Sequence, residues 1–184
     1  WPSPAVPARP AVPPPPSPLP PLLSGSPVVI APRLLGGVLH GRGVTVRLTE
    51  IEAYRGETDP GSHAFRGPTP RTRIMFERPG TLYVYFSYGM HVCANIVTSP
   101  YGEASAILMR AGEVVDGLVL ARSRRITSKT DADLARGPAR LFVSPGLTPG
   151  DSVVARTPCV ILAERTEHVA HPVPWRDDYD HRGP

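Results

Sequence analysis

The segment Val44-Thr45-Val46-Arg47-Leu48-Thr49-Glu50-Ile51-Glu52-Ala53-Tyr54 alternates as a β-strand does. With a period of two, Val44, Val46, Leu48, Glu50, Glu52 and Tyr54 share one face, and Thr45, Arg47, Thr49, Ile51 and Ala53 the other. Two carboxylates therefore end an otherwise apolar stripe, where burial without partners costs free energy. A carboxylate at a strand end beside an aromatic ring is placed to act as a general base on water. Two solvated glutamates at an exposed strand end fit the same spacing, and spacing alone favours them.

Working outward, residues 55–79 are rich in Gly, Pro and Arg and read as one long loop carrying His63, Arg66, Arg71, Arg73 and Arg78. Connections of this length are more often functional than merely connecting. Three strands are expected next. Residues 81–88 (TLYVYFSY) are apolar on both faces and suit an interior strand. Residues 92–98 (VCANIVT) carry Asn95 among small and β-branched side chains, and residues 104–110 (ASAILMR) end on Arg110. Val114, Val115, Leu118 and Val119 fall at helical spacing and predict a helix leading into Arg122, Arg124 and Arg125. A second short helix is expected from Gly137-Pro138, since proline is accepted in a first turn. Beyond Leu141 only Val160 to Leu162 suggests a strand. The pattern is a mixed α+β domain.

The remainder of the chain bounds the function. Of its 184 residues 25 are proline, and 11 of these fall in the first 21. Residues 1–27 are thus expected to form a Pro-rich arm outside the core, because proline lacks the amide donor and favours extended polyproline II. Residues 28–176 are left as one domain and 177–184 as a tail. No stretch of 18 apolar residues exists, so no membrane span is expected. The early apolar stretches are broken by proline and lack a basic leader, so secretion is not expected.

The net charge is +4, and all but one of the 20 basic residues are arginine, Lys129 being the exception. Arginine forks onto phosphate, which is compatible with nucleic-acid binding; a GC-rich coding sequence produces the same bias. Cys93 and Cys159 stand far apart and read as reduced thiols, not as a disulfide or zinc site. Tyr83, Tyr85 and Tyr88 lie within six residues, with Tyr54 on another strand. If their faces converge on one cleft they would hold a planar base; the alternative is ordinary core packing. His63 and Asn95 each admit a ligand-binding and a structural role.

The run Leu48 to Tyr54, the loop His63 to Arg73, and Met75-Phe76 with Pro79-Gly80-Thr81-Leu82-Tyr83-Val84-Tyr85 and Tyr88-Gly89-Met90 closely resemble the alkyladenine (3-methyladenine) DNA glycosylase family. The likeness begins near Arg33-Leu34-Leu35-Gly36. It continues through Asn95-Ile96, Leu108-Met109-Arg110 and Gly137-Pro138-Ala139-Arg140-Leu141, roughly 110 residues in one order. From about residue 142 the chain departs from the family pattern. Pro174-Trp175-Arg176 is similar to a late motif, but Asp177-Asp178-Tyr179 replaces its aromatic continuation.

The resemblance implies an α+β domain with a curved, mainly antiparallel sheet and flanking helices. It implies a monofunctional glycosylase that flips alkylated or deaminated purines out of duplex DNA and hydrolyses the N-glycosidic bond in base excision repair, with no cofactor and no metal. Glu52 takes the place of the general base and Arg110 of an arginine near the phosphate and the water. Tyr54 and Tyr85 match the stacking aromatics, His63 a base-binding group, and Asn95 the residue that crowds the guanine amino group. Tyr88 matches the wedge that fills the vacated stack, with Met90 beside it, and Arg66, Arg71 and Arg73 are expected phosphate contacts. A monomer is expected, located in the cytoplasm or nucleoid of a bacterium, or in the nucleus of a eukaryote. The alternative is a protein that recognises damaged DNA without cleaving it, favoured by the divergent C-terminal part. An arginine-rich RNA-binding module is a more distant one.

Overall fold

The computed structural model describes residues 23–87, 91–148 and 159–162, the last as backbone only. Six strands form one antiparallel sheet in the order β3-β4-β5-β2-β1-β6. They are β1 (Val38–Gly41), β2 (Val44–Tyr54), β3 (Leu82–Ser87), β4 (His91–Ile96), β5 (Ala106–Asp116) and β6 (Cys159–Leu162), with helices α1 (Pro27–Leu34), α2 (Leu118–Arg124) and α3 (Pro138–Val143). The mixed α+β class expected from the sequence is the one observed. No helix among the described residues is long and apolar enough to cross a membrane. Of the arm expected at residues 1–27, residues 1–22 lie outside the described residues, as does the tail at 177–184. The arm's last five residues are packed on the domain, with Leu23 buried against α1, Gly25 N donating to the Thr98 carbonyl at 2.7 Å and Pro27 opening α1.

β2 has the bounds its alternation predicts, but the stripe is divided. Val44, Val46 and Leu48 are buried in the main core, while Thr49 and Glu50 are both exposed. The β2–β5 register is interrupted between Leu48 and Glu50 and again between Glu50 and Ile51. At that irregularity the stripe leaves the core and its last three members, Glu50, Glu52 and Tyr54, become available for a site. Ile51 and Ala53 pack instead with Ile96, Ile107 and the α1 residues Ile30, Ala31 and Leu34.

Two elements hidden from sequence patterning precede β2. α1 opens on Pro27, whose fixed φ suits a first turn, and contains Pro32. β1 joins β2 through Arg42 and Gly43, with φ of 40° and 80°, the left-handed pair that a two-residue hairpin needs.

Two expectations are corrected: β3, read as an interior strand, is at the edge of the described sheet, where α3 and the crossing segment rather than a further strand meet its apolar residues, and the helix expected from Val114 begins later. Val114 and Val115 belong to β5, which runs on to Asp116, and Val114 pairs with Val46 in the ladder. Gly117, at φ 73°, breaks the strand, and only then does α2 begin. Cross-strand pairing with β2 outweighs the weak helical spacing. The short helix from Pro138 is present as α3, whose Leu141 and Phe142 pack into the core with Leu82, Ala94 and Met109.

Because β5 and β4 lie between β2 and β3, the chain leaving Tyr54 has to cross two strands before β3 begins. Residues 55–81 make that crossing with only short 3-10 turns at Gly56–Thr58 and Arg73–Phe76. Ala64 and Met75 anchor it in a small core with Tyr54, Tyr83, Ala104 and Ala106.

Candidate active site

Antiparallel register sets the site. Tyr83 lies opposite Asn95, Asn95 opposite Leu108, and Leu108 opposite Glu52. Directly opposed residues project from the same side of a sheet, so one lateral row carries Tyr83, Asn95 and Glu52 across four strands. Tyr85 and Tyr54 lie two residues along on the same side. The crossing segment lays His63, Gly61 and Met75 against this row. Together Tyr54, Gly61, His63, Met75, Tyr83, Tyr85, Asn95 and Ala106 line a cavity of about 40 Å³. That is room for a few waters at roughly 10–15 Å³ each and less than a purine needs, so a base enters only if the lining gives way. A wider cleft of about 360 Å³ lies elsewhere, between Arg122, Arg125, Lys129 and Asp131; it lacks the aromatic faces, and its Asp131 is held by both nitrogens of an Arg122 fork at 2.8 Å.

Glu52 is held from both sides. The Tyr54 hydroxyl donates to Oε2 at 2.6 Å, and Arg110 donates through Nη1 to Oε1. Arg110 also reaches Glu50, with Nε 3.4 Å from Oε2. The Glu52 side chain is 27% exposed and that of Glu50 57%, so Glu52 is the more sheltered carboxylate. An ionised carboxylate offers about four lone-pair sites. Two are taken here, which leaves capacity for a water while the orientation stays fixed.

The aromatic wall is tightly assembled. The rings of His63 and Tyr85 meet edge-on at 4.6 Å, and those of Tyr83 and Tyr85 are tilted by 31° at 5.4 Å. His63 Nδ1 lies 3.3 Å from the Tyr83 hydroxyl. Burial of the imidazole, followed by the nearby Arg71 charge, holds the His63 pKa below 6.5. A neutral ring can both accept and donate a hydrogen bond, as reading a base edge requires. Burial also pushes the Tyr83 and Tyr85 phenols and the Cys93 thiol upward, so all three stay protonated at neutral pH and Cys93 is a poor nucleophile.

Asn95 is 2% exposed and donates from Nδ2 to the Tyr83 carbonyl at 3.2 Å, which fixes its amide against the cavity. The three loop arginines are divided. Arg66 and Arg73 are exposed along the crossing segment, whereas Arg71 stacks over the Tyr85 ring. Tyr88 and Met90 lie outside the described residues. No group of three or more His, Cys, Asp or Glu capable of holding a metal ion occurs among the described residues.

Sequence reasoning grouped Tyr83 with Tyr85 as aromatics that could hold a base and Glu50 with Glu52 as strand-end carboxylates, but gave no site role to Met75. Tyr83 is 2% exposed yet contributes its hydroxyl to His63. The clustering of Tyr83 with Tyr85 was the available signal, since both must face one side of the same strand. Met75 carries no such signal, because its place depends on the course of the crossing segment.

With this geometry in hand, comparison with known proteins is specific. The family model described as methylpurine-DNA glycosylase matches residues 22–171. Three relatives each bear the name "Putative 3-methyladenine DNA glycosylase". The protein of Leifsonia xyli subsp. xyli is 56% identical over 131 residues, covering 66% of this chain and 62% of its own length. That of Corynebacterium jeikeium is 54% identical over 119 residues, covering 65% and 56%. That of Nocardia farcinica is 52% identical over 130 residues, covering 68% and 61%. The chain thus spans about three fifths of the length of these curated relatives.

Proposed function

The chain belongs to the methylpurine-DNA glycosylase family, and on that premise we propose that it removes alkylated or deaminated purines from duplex DNA by hydrolysing the N-glycosidic bond. One observation carries the reading: Glu52, held by Tyr54 and Arg110, stands in the same row as Asn95 and Tyr83 beside an aromatic cavity. Because a base stacked and paired in a duplex cannot reach the cavity, it arrives by extrusion from the stack, at a cost of a few kcal/mol. Tyr88 and Met90, in the link between β3 and β4, fill the gap that extrusion leaves. Arg66 and Arg73 contact backbone phosphates.

Inside the pocket Tyr54 and Tyr85 stack on the base and His63 bonds its edge. A purine methylated at N3 or N7 is cationic, and tyrosine faces attract it. Glu52 accepts a proton from water as the oxygen attacks C1′. The C1′–N bond breaks and its electron pair leaves with the base: a cationic methylated purine departs neutral, whereas a neutral lesion departs as the anion and takes its proton from solvent water. Arg110 orients Glu52. The one lysine of this sequence, Lys129, lies in the remote cleft, so the pocket offers hydrolysis and not a Schiff base. The proposal includes a monomer acting on DNA inside the cell, without a cofactor.

The test is release of free base from duplex DNA carrying one hypoxanthine or ethenoadenine, read by chromatography and by alkaline strand cleavage at the abasic site. The full chain is expected to release both. Glu52→Gln is expected to abolish release while keeping lesion binding, since it preserves shape and removes the proton acceptor. Tight lesion binding by the wild-type chain with no release would establish the binding-only alternative.

A further inference from the structure

Arg71, one of the three expected phosphate contacts, also meets the aromatic wall. Its guanidinium carbon lies 5.4 Å from the centroid of the Tyr85 ring, and its charge acts on both the Tyr83 hydroxyl and His63. Tyr85, Tyr83 and His63 line the cavity; Arg71 does not. The arginine thus stands beside the aromatic wall, outside the lining of the cavity. Its backbone is fixed by the next residue, the 3%-exposed Thr72. Thr69 N donates to Thr72 Oγ1 at 2.9 Å, Thr72 N donates to Thr69 Oγ1 at 3.1 Å, and Thr72 Oγ1 donates to the Gly67 carbonyl at 3.2 Å. A base can therefore enter without displacing this turn.

We propose that Arg71 is a specificity-determining residue that biases the pocket against cationic purines relative to neutral ones. The inference rests on the glycosylase reading above. A tyrosine ring attracts a cation through its quadrupole, but here one face of the wall already carries a permanent positive charge. A base stacked about 3.5 Å from Tyr85 would lie no more than roughly 9 Å from the guanidinium. At an effective dielectric near 20 a cationic base is then disfavoured by roughly twentyfold, and a neutral base is spared. Arg71 is exposed, so solvent and salt reduce this to about fivefold to tenfold. Burial, followed by the same Arg71 charge, disfavours a second charge on His63.

The experiment compares single-turnover release of 7-methylguanine, which is cationic, and hypoxanthine, which is neutral. Both are measured with one preparation of each full-length protein, so the ratio is independent of the folded fraction. Arg71→Gln and Arg71→Met are each expected to raise the ratio of 7-methylguanine to hypoxanthine release about fivefold to tenfold, most strongly at low salt. Arg71→Lys keeps the charge and is expected to stay within about twofold of the wild-type ratio. The proposal is overturned if both neutral variants slow the two lesions equally and reduce the salt dependence of DNA binding by about one ion, the signature of a lost phosphate contact. It is equally overturned if the ratio is unchanged for any other reason. Failure of the wild-type chain to release either base is a different result: it removes the glycosylase reading and this inference with it.

Discussion

Replacing Asn95 with alanine removes a buried amide with one observed contact and one proposed role, and the two can be read separately. The side chain is 2% exposed and donates at 3.2 Å to the Tyr83 carbonyl. Loss of that bond costs about 1 kcal/mol, and the carbonyl left short of a partner adds up to about 1 kcal/mol more. For a domain of this size each kcal/mol shifts the melting temperature by about 2–4 °C, so a fall of roughly 3–7 °C is expected. The truncation also adds about one water's volume, ~30 Å³, to a cavity of about 40 Å³ at the wall where a purine edge would rest. If Asn95 excludes the amino group that distinguishes guanine from hypoxanthine, relieving a clash worth about 1–3 kcal/mol raises guanine excision relative to hypoxanthine by tenfold or more. Differential scanning fluorimetry checks the first effect, and single-turnover excision from duplexes carrying each base checks the second. An unchanged guanine-to-hypoxanthine ratio would refute the specificity role; with the melting temperature lowered as expected, Asn95 would be a strut for β3 alone.

Arg110→Met removes the cation shared by Glu52 and Glu50. Since its side chain is 39% exposed the loss is moderate, about tenfold in the single-turnover rate with lesion affinity little changed, as measured by excision under enzyme excess. His63 has a folded pKa below its unfolded value of 6.5, so the unfolded chain takes up the proton first. Stability is therefore expected to be full above pH 6.5 and to decline as the pH falls from there through the lowered folded value; urea unfolding across pH 7.5 to 5 should show this slope, reduced in His63→Gln. Gly56→Ala places a Cβ 2.3 Å from the Ala104 carbonyl oxygen at a φ of 64°, and a loss of about 2–4 kcal/mol is expected in the same unfolding assay.

How much of this was legible depends on how local each determinant is. β2 was readable to its ends because alternation over eleven residues has no competing explanation. β3 and β4 were readable to within a residue or two. The second half of β5 was not, because Val114, Val115, Leu118 and Val119 fit a helix on spacing, and only pairing with β2 assigns the first two to a strand. α1 was masked by Pro27 and Pro32, which extend the composition of the arm into an element held by tertiary contacts with Ile96 and Ile107. In the site, residue type and motif nominated Glu52, Tyr54, Tyr85, His63 and Asn95. The row that brings Tyr83, Asn95 and Glu52 together was not available, since it needs the order of four strands and their registers. Arg71 was legible as a cation and illegible as a ring-stacking one.

Strand order also explains why a chain of this size carries so long an irregular segment. With β5 and β4 inserted between β2 and β3, a short turn after Tyr54 cannot reach Leu82, and the crossing has to pass over the sheet. Once there it is tied to the link between β4 and β5 at both Met75 and Phe76, whose carbonyls accept from Ser105 N at 3.1 Å and Gly102 N at 2.9 Å. Ser105, fully buried, in turn accepts through its hydroxyl from the amides of Thr98 at 3.0 Å and Ser99 at 2.7 Å. These bonds hold the Met75 side of the cavity to the sheet. The His63 side is held differently, by ring contacts with Tyr83 and Tyr85 and by the turn at Gly56, and its imidazole keeps an exposed edge. Glu52 and the Asn95 amide thus stand in one row of the sheet, whereas His63 reaches the cavity from the crossing segment, beside the buried Ala64.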